Sequence, residues 1–222
     1  RTGMQVSPFT LGCMNFGRDT TLDDSCAIID RALEAGINVL DTANVYSRGR
    51  SEEFVGEALQ RNGRRDRVIL ATKVNGVMDD DDPNAHGIHR RHIIQQCEAS
   101  LRRLQTDYID LYQIHNPKLD ALERDELFET LEQLQFEGKI RYFGVALGPD
   151  IGWFEEGEYS MRERHLDSVQ IIYSILEQDP ARDFLPIAEE ENVGLISRVP
   201  HASEVLTGRF TEPPVFDESD HR

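Results

Sequence analysis

The sequence has 222 residues, of which 39% are hydrophobic and 29% charged, a composition typical of a soluble globular protein with one sizeable core. Its formal net charge of −17 would repel phosphates, which argues against a nucleic-acid partner. No apolar run approaches the ~18–20 residues of a membrane span, and the start RTGMQVSPF lacks a signal-peptide core, so we expect a cytoplasmic protein with no membrane partner.

The basic residues are almost all arginine, since only Lys73, Lys118 and Lys139 are lysine. Surplus carboxylate with scarce lysine is the composition expected of a halophilic protein, because concentrated salt screens the self-repulsion of its charges. A salt-rich cytoplasm is therefore predicted, with an ordinary acidic protein as the alternative. The three cysteines are scattered, which predicts free thiols and no disulfide framework.

Short β-type runs alternate with helical patterns along most of the chain. The strand candidates are, in chain order, FTLGC, NVLDT, VILATKV, YIDLYQIH, IRYFGVAL, SVQIIYSI and VGLISRV. Most are continuous apolar runs, which indicates strands covered on both faces, as in a parallel sheet. The helical patterns are LDDSCAIIDRALEAG, predicted to begin at a capping aspartate, then SEEFVGEALQRNG, IHRRHIIQQCEASLRRL, ERDELFETLEQLQFEG and PARDFLPIAEEENVG.

The repeat from strand to strand is about 30 residues, the size of a βα unit. Seven such units without a sign of a second domain predict one domain over residues 1–222. Its fold class is α/β, a (β/α)8 TIM barrel lacking the eighth strand and the last helices. A doubly wound sheet is less favoured, since no G-x-G-x-x-G follows the first strand. Either the chain is a fragment, or its sheet stays open between the first and seventh strands.

Four chemically useful side chains fall at the predicted strand ends. Asp41 ends the second strand, Lys73 lies near the end of the third and His115 ends the fourth, while Tyr46 follows Asp41 in the same loop. The carboxyl ends of barrel strands meet at one mouth, where active sites lie. An ammonium beside a phenol favours the phenolate, an aspartate keeps the ammonium charged, and a histidine can orient a substrate oxygen.

The blocks GINVLDTANVYSRGRSEEFVGEAL, VILATKV, DYIDLYQIH and EGKIRYFGV, in this order and spacing, resemble the signature of the aldo-keto reductase superfamily. The resemblance runs from GMQVSPFTLGCMNFG to VLTGRF, nearly the whole chain. It implies a (β/α)8 barrel that transfers hydride from NADPH, less often NADH, to an aldehyde or ketone without a metal.

The resemblance also implies roles for individual residues. Tyr46 becomes the general acid, Lys73 the group that tunes its acidity, Asp41 the ion-pair partner of the lysine, and His115 the group that orients the carbonyl. Two further positions are implied to bind cofactor: Gln170, which matches a residue that hydrogen-bonds the nicotinamide amide, and Arg198, which stands where the family commonly has an aromatic residue.

This chain departs from the family after the fifth strand. The family usually carries Ser-Asn there, both holding the nicotinamide amide, whereas residues 144–147 are Gly-Val-Ala-Leu. The adenosine and phosphate contacts of the family lie mostly beyond residue 222. Two alternatives therefore stay open, a non-catalytic barrel and a fragment with impaired cofactor binding. The sequence leaves the carbonyl substrate, the choice between NADPH and NADH, and the oligomeric state open.

Simpler interpretations accompany these predictions. Asp41 and Lys73 alone could form a structural ion pair, and Lys73 could be a Schiff-base lysine. HGIHRRH places three histidines at steps of three near an acidic run, so a metal site is one interpretation and solvated histidines near a helix start are the other. Trp153 is predicted in the loop after the fifth strand, as a pocket wall or as a cover of the core.

Overall fold

The computed structural model describes residues 2–148, 152–210, 212 and 215. Within them, seven strands are separated by helices, one between most neighbouring strands and two between the fourth and fifth. The strands are β1 (Thr10–Gly12), β2 (Val39–Asp41), β3 (Ile69–Val74), β4 (Ile109–His115), β5 (Ile140–Ala146), β6 (Ser168–Ile172) and β7 (Gly194–Arg198). The helices are α1 (Leu22–Glu34), α2 (Arg50–Asn62), α3 (Arg90–Leu104), α4 (Leu119–Leu122), α5 (Asp125–Phe136), α6 (Phe154–Arg162) and α7 (Asp179–Glu191).

The chain divides into two compact units, residues 1–146 and 147–222. In the first unit β1 to β5 pair parallel, each with the next strand in the chain. In the second unit β6 pairs parallel with β7, and α6 packs on α7. Each strand lies where the sequence predicted it, while the single domain over 1–222 stays a prediction.

The longest strands of the first unit are buried along most of their length. Every residue of β4 before His115 is buried, and so is β3 after Ile69. The side chains of Leu70, Ile109 and Ile114 have no exposed surface, and burying an aliphatic side chain of this size contributes about 1.5–3 kcal/mol. The continuous apolar runs of the sequence therefore correspond to strands covered on both faces.

Two helices in the first unit begin and end for reasons visible in the sequence. Helix α2 lies between Gly49, with φ of 91°, and Gly63, with φ of 62°; both conformations favour glycine. Helix α1 begins two residues earlier than a cap at Asp23 would place it: the N-cap is Thr21, whose hydroxyl accepts a hydrogen bond from the backbone N–H of Asp24. A threonine hydroxyl satisfies an N-terminal donor in the same way as a carboxylate.

Helix α6 is not among the helices predicted from the sequence, which places Trp153 in a loop after the fifth strand. Trp153 is its N-cap, with φ of 59°, and is half-buried. Gly157 lies inside the helix because a Cβ there would stand 2.3 Å from the ring of Phe184 in α7. The glycine that weakens the helical pattern is thus required where the two helices pack.

In the part of the chain that the structure describes, no helix is both long and apolar enough to cross a membrane.

Candidate active site

Three parallel strands of the first unit carry the predicted catalytic groups to one end of the sheet. Asp41 is the last residue of β2, His115 is the last of β4, and Lys73 is the last but one of β3. Tyr46 begins a single 3-10 turn that follows β2. The strands are in register, so the carboxyl ends of all three lie side by side.

The ammonium of Lys73 connects this group. It is fully buried, and Nζ donates to Asp41 Oδ1 at 2.5 Å and to the carbonyl oxygen of Thr42 at 2.7 Å. Nζ also lies 3.4 Å from Tyr46 Oη. Burial alone would favour the neutral amine, but Asp41 and Tyr46 together raise the pKa of Lys73 above its ordinary value. The lysine is therefore a positive charge directed at a phenol oxygen at neutral pH.

The imidazole of His115 lies beside the same phenol. Its ring centroid is 5.9 Å from that of Tyr46, and the two rings meet edge to face at 84°. The end of β4 is held by Asn75, whose side-chain amide donates to the carbonyl oxygen of His115 at 2.6 Å. The structure thus brings the four predicted catalytic residues together.

The turn that carries Tyr46 has an uncommon backbone. Ser47 and Arg48 have φ of 50° and 54°, in the left-handed region that non-glycine residues rarely adopt. Such a conformation costs on the order of 1–3 kcal/mol per residue and persists only when other contacts hold it. Here Ser47 Oγ donates to the carbonyl oxygen of Phe16 at 3.0 Å, and Arg48 pairs with Asp80 at 2.6 Å. Tertiary contacts therefore fix the turn that presents the phenol.

Sequence reasoning missed three groups at this site: the Asn75 amide, the Thr42 carbonyl and the side chain of Gln113. Gln113 Nε2 donates to Asp41 Oδ2 at 3.3 Å from a fully buried side chain. Its signal was present, because residues two apart on a strand share a face and Gln113 precedes His115 by two. A backbone carbonyl such as that of Thr42 carries no signal in the sequence.

The two residues implied to bind cofactor lie in the second unit. Gln170 is buried in the middle of β6, and Arg198 ends β7. The guanidinium of Arg198 donates to the carbonyl oxygen of Leu147 at 3.1 Å. A primary amide such as Gln170 offers both a donor and an acceptor, which fits the carboxamide of a nicotinamide. Residues 144–147 are Gly-Val-Ala-Leu and carry no polar side chain that could hydrogen-bond a carboxamide.

Of the three histidines of HGIHRRH, His89 and His92 lie at the start of α3, and His86 lies in the loop before it. His89 is the N-cap, and its Nδ1 accepts from the backbone N–H of His92. Burial, reinforced by the charges of His89 and His86, lowers the pKa of His92 to about 4. The metal interpretation gains no support, since no group of three or more His, Cys, Asp or Glu among the described residues is arranged to hold an ion. His89 and His92 instead lie at the start of a helix.

Comparison with known proteins gives a consistent result. Residues 8–222 match the family described as "Aldo/keto reductase family". A curated relative, the "Uncharacterized oxidoreductase YqkF" of Bacillus subtilis, is 37% identical over 98% of this chain and 67% of its own length. The chain thus spans about two thirds of that relative.

Solved structures show the same likeness. The holo form of the aldo-keto reductase AKR11C1 from Bacillus halodurans has a TM-score of 0.82 and 38% identity, covering 95% of this chain and 67% of that one. An aldo-keto reductase from Klebsiella pneumoniae, solved in complex with NADPH, has a TM-score of 0.75 and 30% identity, covering 91% of this chain and 67% of its own. The fold class predicted from the sequence is confirmed.

Proposed function

The chain belongs to the aldo/keto reductase family, and from this we propose that it is an oxidoreductase that reduces an aldehyde or ketone with NADPH, or oxidises the corresponding alcohol. The observation that carries the proposal is the buried Lys73 ammonium, which contacts a carboxylate on one side and the Tyr46 hydroxyl on the other. NADPH is favoured over NADH because the similar Klebsiella pneumoniae structure contains NADPH.

The roles follow from the contacts. Tyr46 gives its hydroxyl proton to the carbonyl oxygen as the carbonyl carbon gains a hydride, so the product is an alcohol. The Lys73 ammonium stabilises the phenolate that remains, and Asp41 keeps the ammonium charged. His115, whose ring lies edge to face with that of Tyr46, donates a hydrogen bond to the substrate oxygen and orients it. The phenolate then regains a proton from water.

NADPH supplies the hydride when it is bound. Gln170 is the residue proposed to hold the nicotinamide carboxamide, and Arg198 the residue proposed to lie at the ring. A guanidinium plane can stack on an aromatic ring, but its positive charge disfavours an oxidised nicotinamide. We therefore expect the chain to favour the reduced cofactor over the oxidised one.

The test combines cofactor binding with turnover. The chain contains one tryptophan, Trp153, so quenching of its fluorescence reports NADPH binding. Loss of NADPH absorbance on addition of an aldehyde or ketone reports turnover. Tyr46→Phe is expected to lower kcat by about 10²–10⁴-fold, because it removes the general acid, while the Kd for NADPH stays unchanged.

The matched control is Tyr112→Phe, which removes the hydroxyl of a fully buried tyrosine of the first unit and should leave turnover unchanged. Equal turnover by wild type and Tyr46→Phe would contradict the proposed mechanism, and so would failure of the chain to bind NADPH.

A second candidate function, a barrel that binds cofactor without catalysis, is favoured by the apolar residues at 144–147. Its expected result is fluorescence quenching without turnover of any carbonyl compound.

A further inference from the structure

Gln113, in β4, lies next to Lys73 and Asp41, the two residues proposed to support proton donation by Tyr46. It is fully buried and stands directly beside Lys73 in the ladder between β3 and β4. Its Nε2 donates to Asp41 Oδ2 at 3.3 Å, on the carboxylate oxygen opposite the one that contacts Lys73. Its Oε1 is buried and has no hydrogen-bond partner among the described residues.

A buried amide with one unsatisfied end is an unfavourable way to fill space. Within the described part of the chain, the amide carbonyl of Gln113 has left water without gaining a partner, which destabilises the folded state relative to an apolar side chain of equal size. Packing alone would therefore favour a methionine or leucine at this position. The part of the side chain that is used is the N–H that reaches Asp41, so the reason for an amide lies at Asp41.

We infer that Gln113 is a positioning residue for the reaction proposed above: its amide fixes the Asp41 carboxylate so that Oδ1 stays on the Lys73 ammonium. The inference rests on the proposed function. A carboxylate can rotate about its Cβ–Cγ bond, and a donor on each oxygen opposes this rotation. When Oδ1 stays in place, the ammonium stays directed at Tyr46 Oη, where the phenolate forms.

The experiment compares Gln113→Met, which keeps the length of the side chain and removes the N–H, with wild type. The first readout is kcat with NADPH and a carbonyl substrate, which we expect to fall about tenfold or more while the Kd for NADPH is unchanged. The second is hydrogen exchange of the Lys73 ammonium, followed by nitrogen-15 NMR. The chain contains three lysines, so Lys118→Arg and Lys139→Arg assign the signals.

We expect exchange at Lys73 to accelerate in Gln113→Met toward the rate in Asp41→Asn, where the ion pair is lost. In the Asp41→Asn background, Gln113→Met should have no further effect on kcat. The control is Tyr112→Phe at the neighbouring residue on β4, whose buried hydroxyl likewise has no hydrogen-bond partner in the described part of the chain. It removes a polar atom from the opposite face of the strand and should change neither readout.

The outcomes separate the inference from the proposed function. If wild type turns over carbonyl compounds and Gln113→Met keeps both its kcat and its exchange rate, the inference is overturned. Faster exchange with unchanged kcat also overturns it, because the position of Asp41 then does not affect the reaction. A purely structural Gln113 predicts a lower Tm with unchanged exchange, whereas we expect an equal or higher Tm. If wild type shows no turnover, the proposed function fails and the exchange rate alone decides whether Gln113 positions Asp41.

Discussion

Lys73 and Asp41 form a buried ion pair, and its geometry shows why neither residue can be removed alone. The lysine has no exposed surface, and the aspartate side chain is 13% exposed. Removing two charges from water is costly, and the cost is offset only when the partners are close and further hydrogen bonds complete the site. The Thr42 carbonyl and the Tyr46 hydroxyl provide these additional contacts for the ammonium.

Lys73→Met is therefore expected to destabilise the folded chain by about 3 kcal/mol, because it leaves the Asp41 carboxylate largely buried without its ammonium. The double variant Lys73→Met/Asp41→Asn should be more stable than Lys73→Met alone, since no unpaired charge remains. Urea unfolding at pH 7 measures both differences. A single variant as stable as wild type would show that the pair contributes nothing to folding.

The burial of His92 makes the stability of the folded chain depend on pH. Its folded-state pKa is about 4, against an ordinary value of 6.5. Between these values the unfolded chain binds a proton that the folded chain does not, so stability falls as the pH falls. The stability that the neutral His92 contributes to the folded state is fully present above about pH 6.5 and is lost progressively as the pH falls toward 4.

We expect His92 to make the chain about 2 kcal/mol less stable at pH 5 than at pH 7, as calculated from the two pKa values. His92→Leu should remove this part of the pH dependence, whereas His165→Leu, on an exposed residue of the second unit, should keep it. Free energies of unfolding in urea at both pH values give the comparison. An equally acid-sensitive His92→Leu would show that the loss arises elsewhere.

Helices α2 and α3 are in backbone contact, which sets a strict limit on one side chain. A Cβ at Gly56 in α2 would stand 2.4 Å from the backbone carbonyl oxygen of Arg103 in α3. The same region contains a buried ion pair, in which Arg103 Nε donates to the fully buried Glu52 at 2.6 Å. Because a helix backbone cannot move aside as a side chain can, this close approach requires glycine.

Gly56→Ala should therefore destabilise the chain by about 1–3 kcal/mol, through the separation of the two helices. The sign is opposite to that of intrinsic helix propensity, which favours alanine by about 1 kcal/mol. Glu53→Ala, at an exposed position of α2, is the matched control and should change stability by less than about 0.5 kcal/mol. Thermal unfolding distinguishes the two, and a stabilised Gly56→Ala would refute the close contact.

The net charge acts on the whole molecule. Most ion pairs in the described residues lie on the surface, such as Arg61 with Glu57 and Arg162 with Glu158. Exposed pairs of this kind contribute about 0–1 kcal/mol each, which leaves a large excess of unpaired carboxylate in a chain of net charge −17. Self-repulsion among these charges disfavours the compact state and is screened over about 10 Å in 0.1 M salt but about 3 Å in 1 M.

We expect the Tm to rise by at least about 3 °C when KCl is raised from about 0.1 M to about 2 M, in keeping with the halophilic composition. Replacing the exposed Glu129, Glu132 and Glu155 with glutamine should reduce this rise, because part of the repulsion is already absent. Differential scanning calorimetry measures both. A Tm that is independent of KCl would remove the physical basis for predicting a salt-rich cytoplasm.

The sequence by itself determined the strands, their parallel order, the three polar residues near their ends and the tyrosine in the loop after the second strand. Continuous apolar runs separated by helical patterns allow few arrangements, and strand ends are readable because a polar residue there interrupts a buried run. Helix α6 was missed because Gly157, which the packing on Phe184 requires, weakens the local helical pattern.

The tertiary structure alone decided the contacts. Neither the hydrogen bond from Gln113 to Asp41 nor the left-handed turn after Tyr46 follows from local propensity, because each depends on groups distant in the chain. Side-chain hydrogen bonds are fixed at distances near 3 Å, whereas a sequence pattern specifies only the face and the end of a strand. The sequence therefore names residues that can meet at this site, and the packing of the strands determines which of their atoms do.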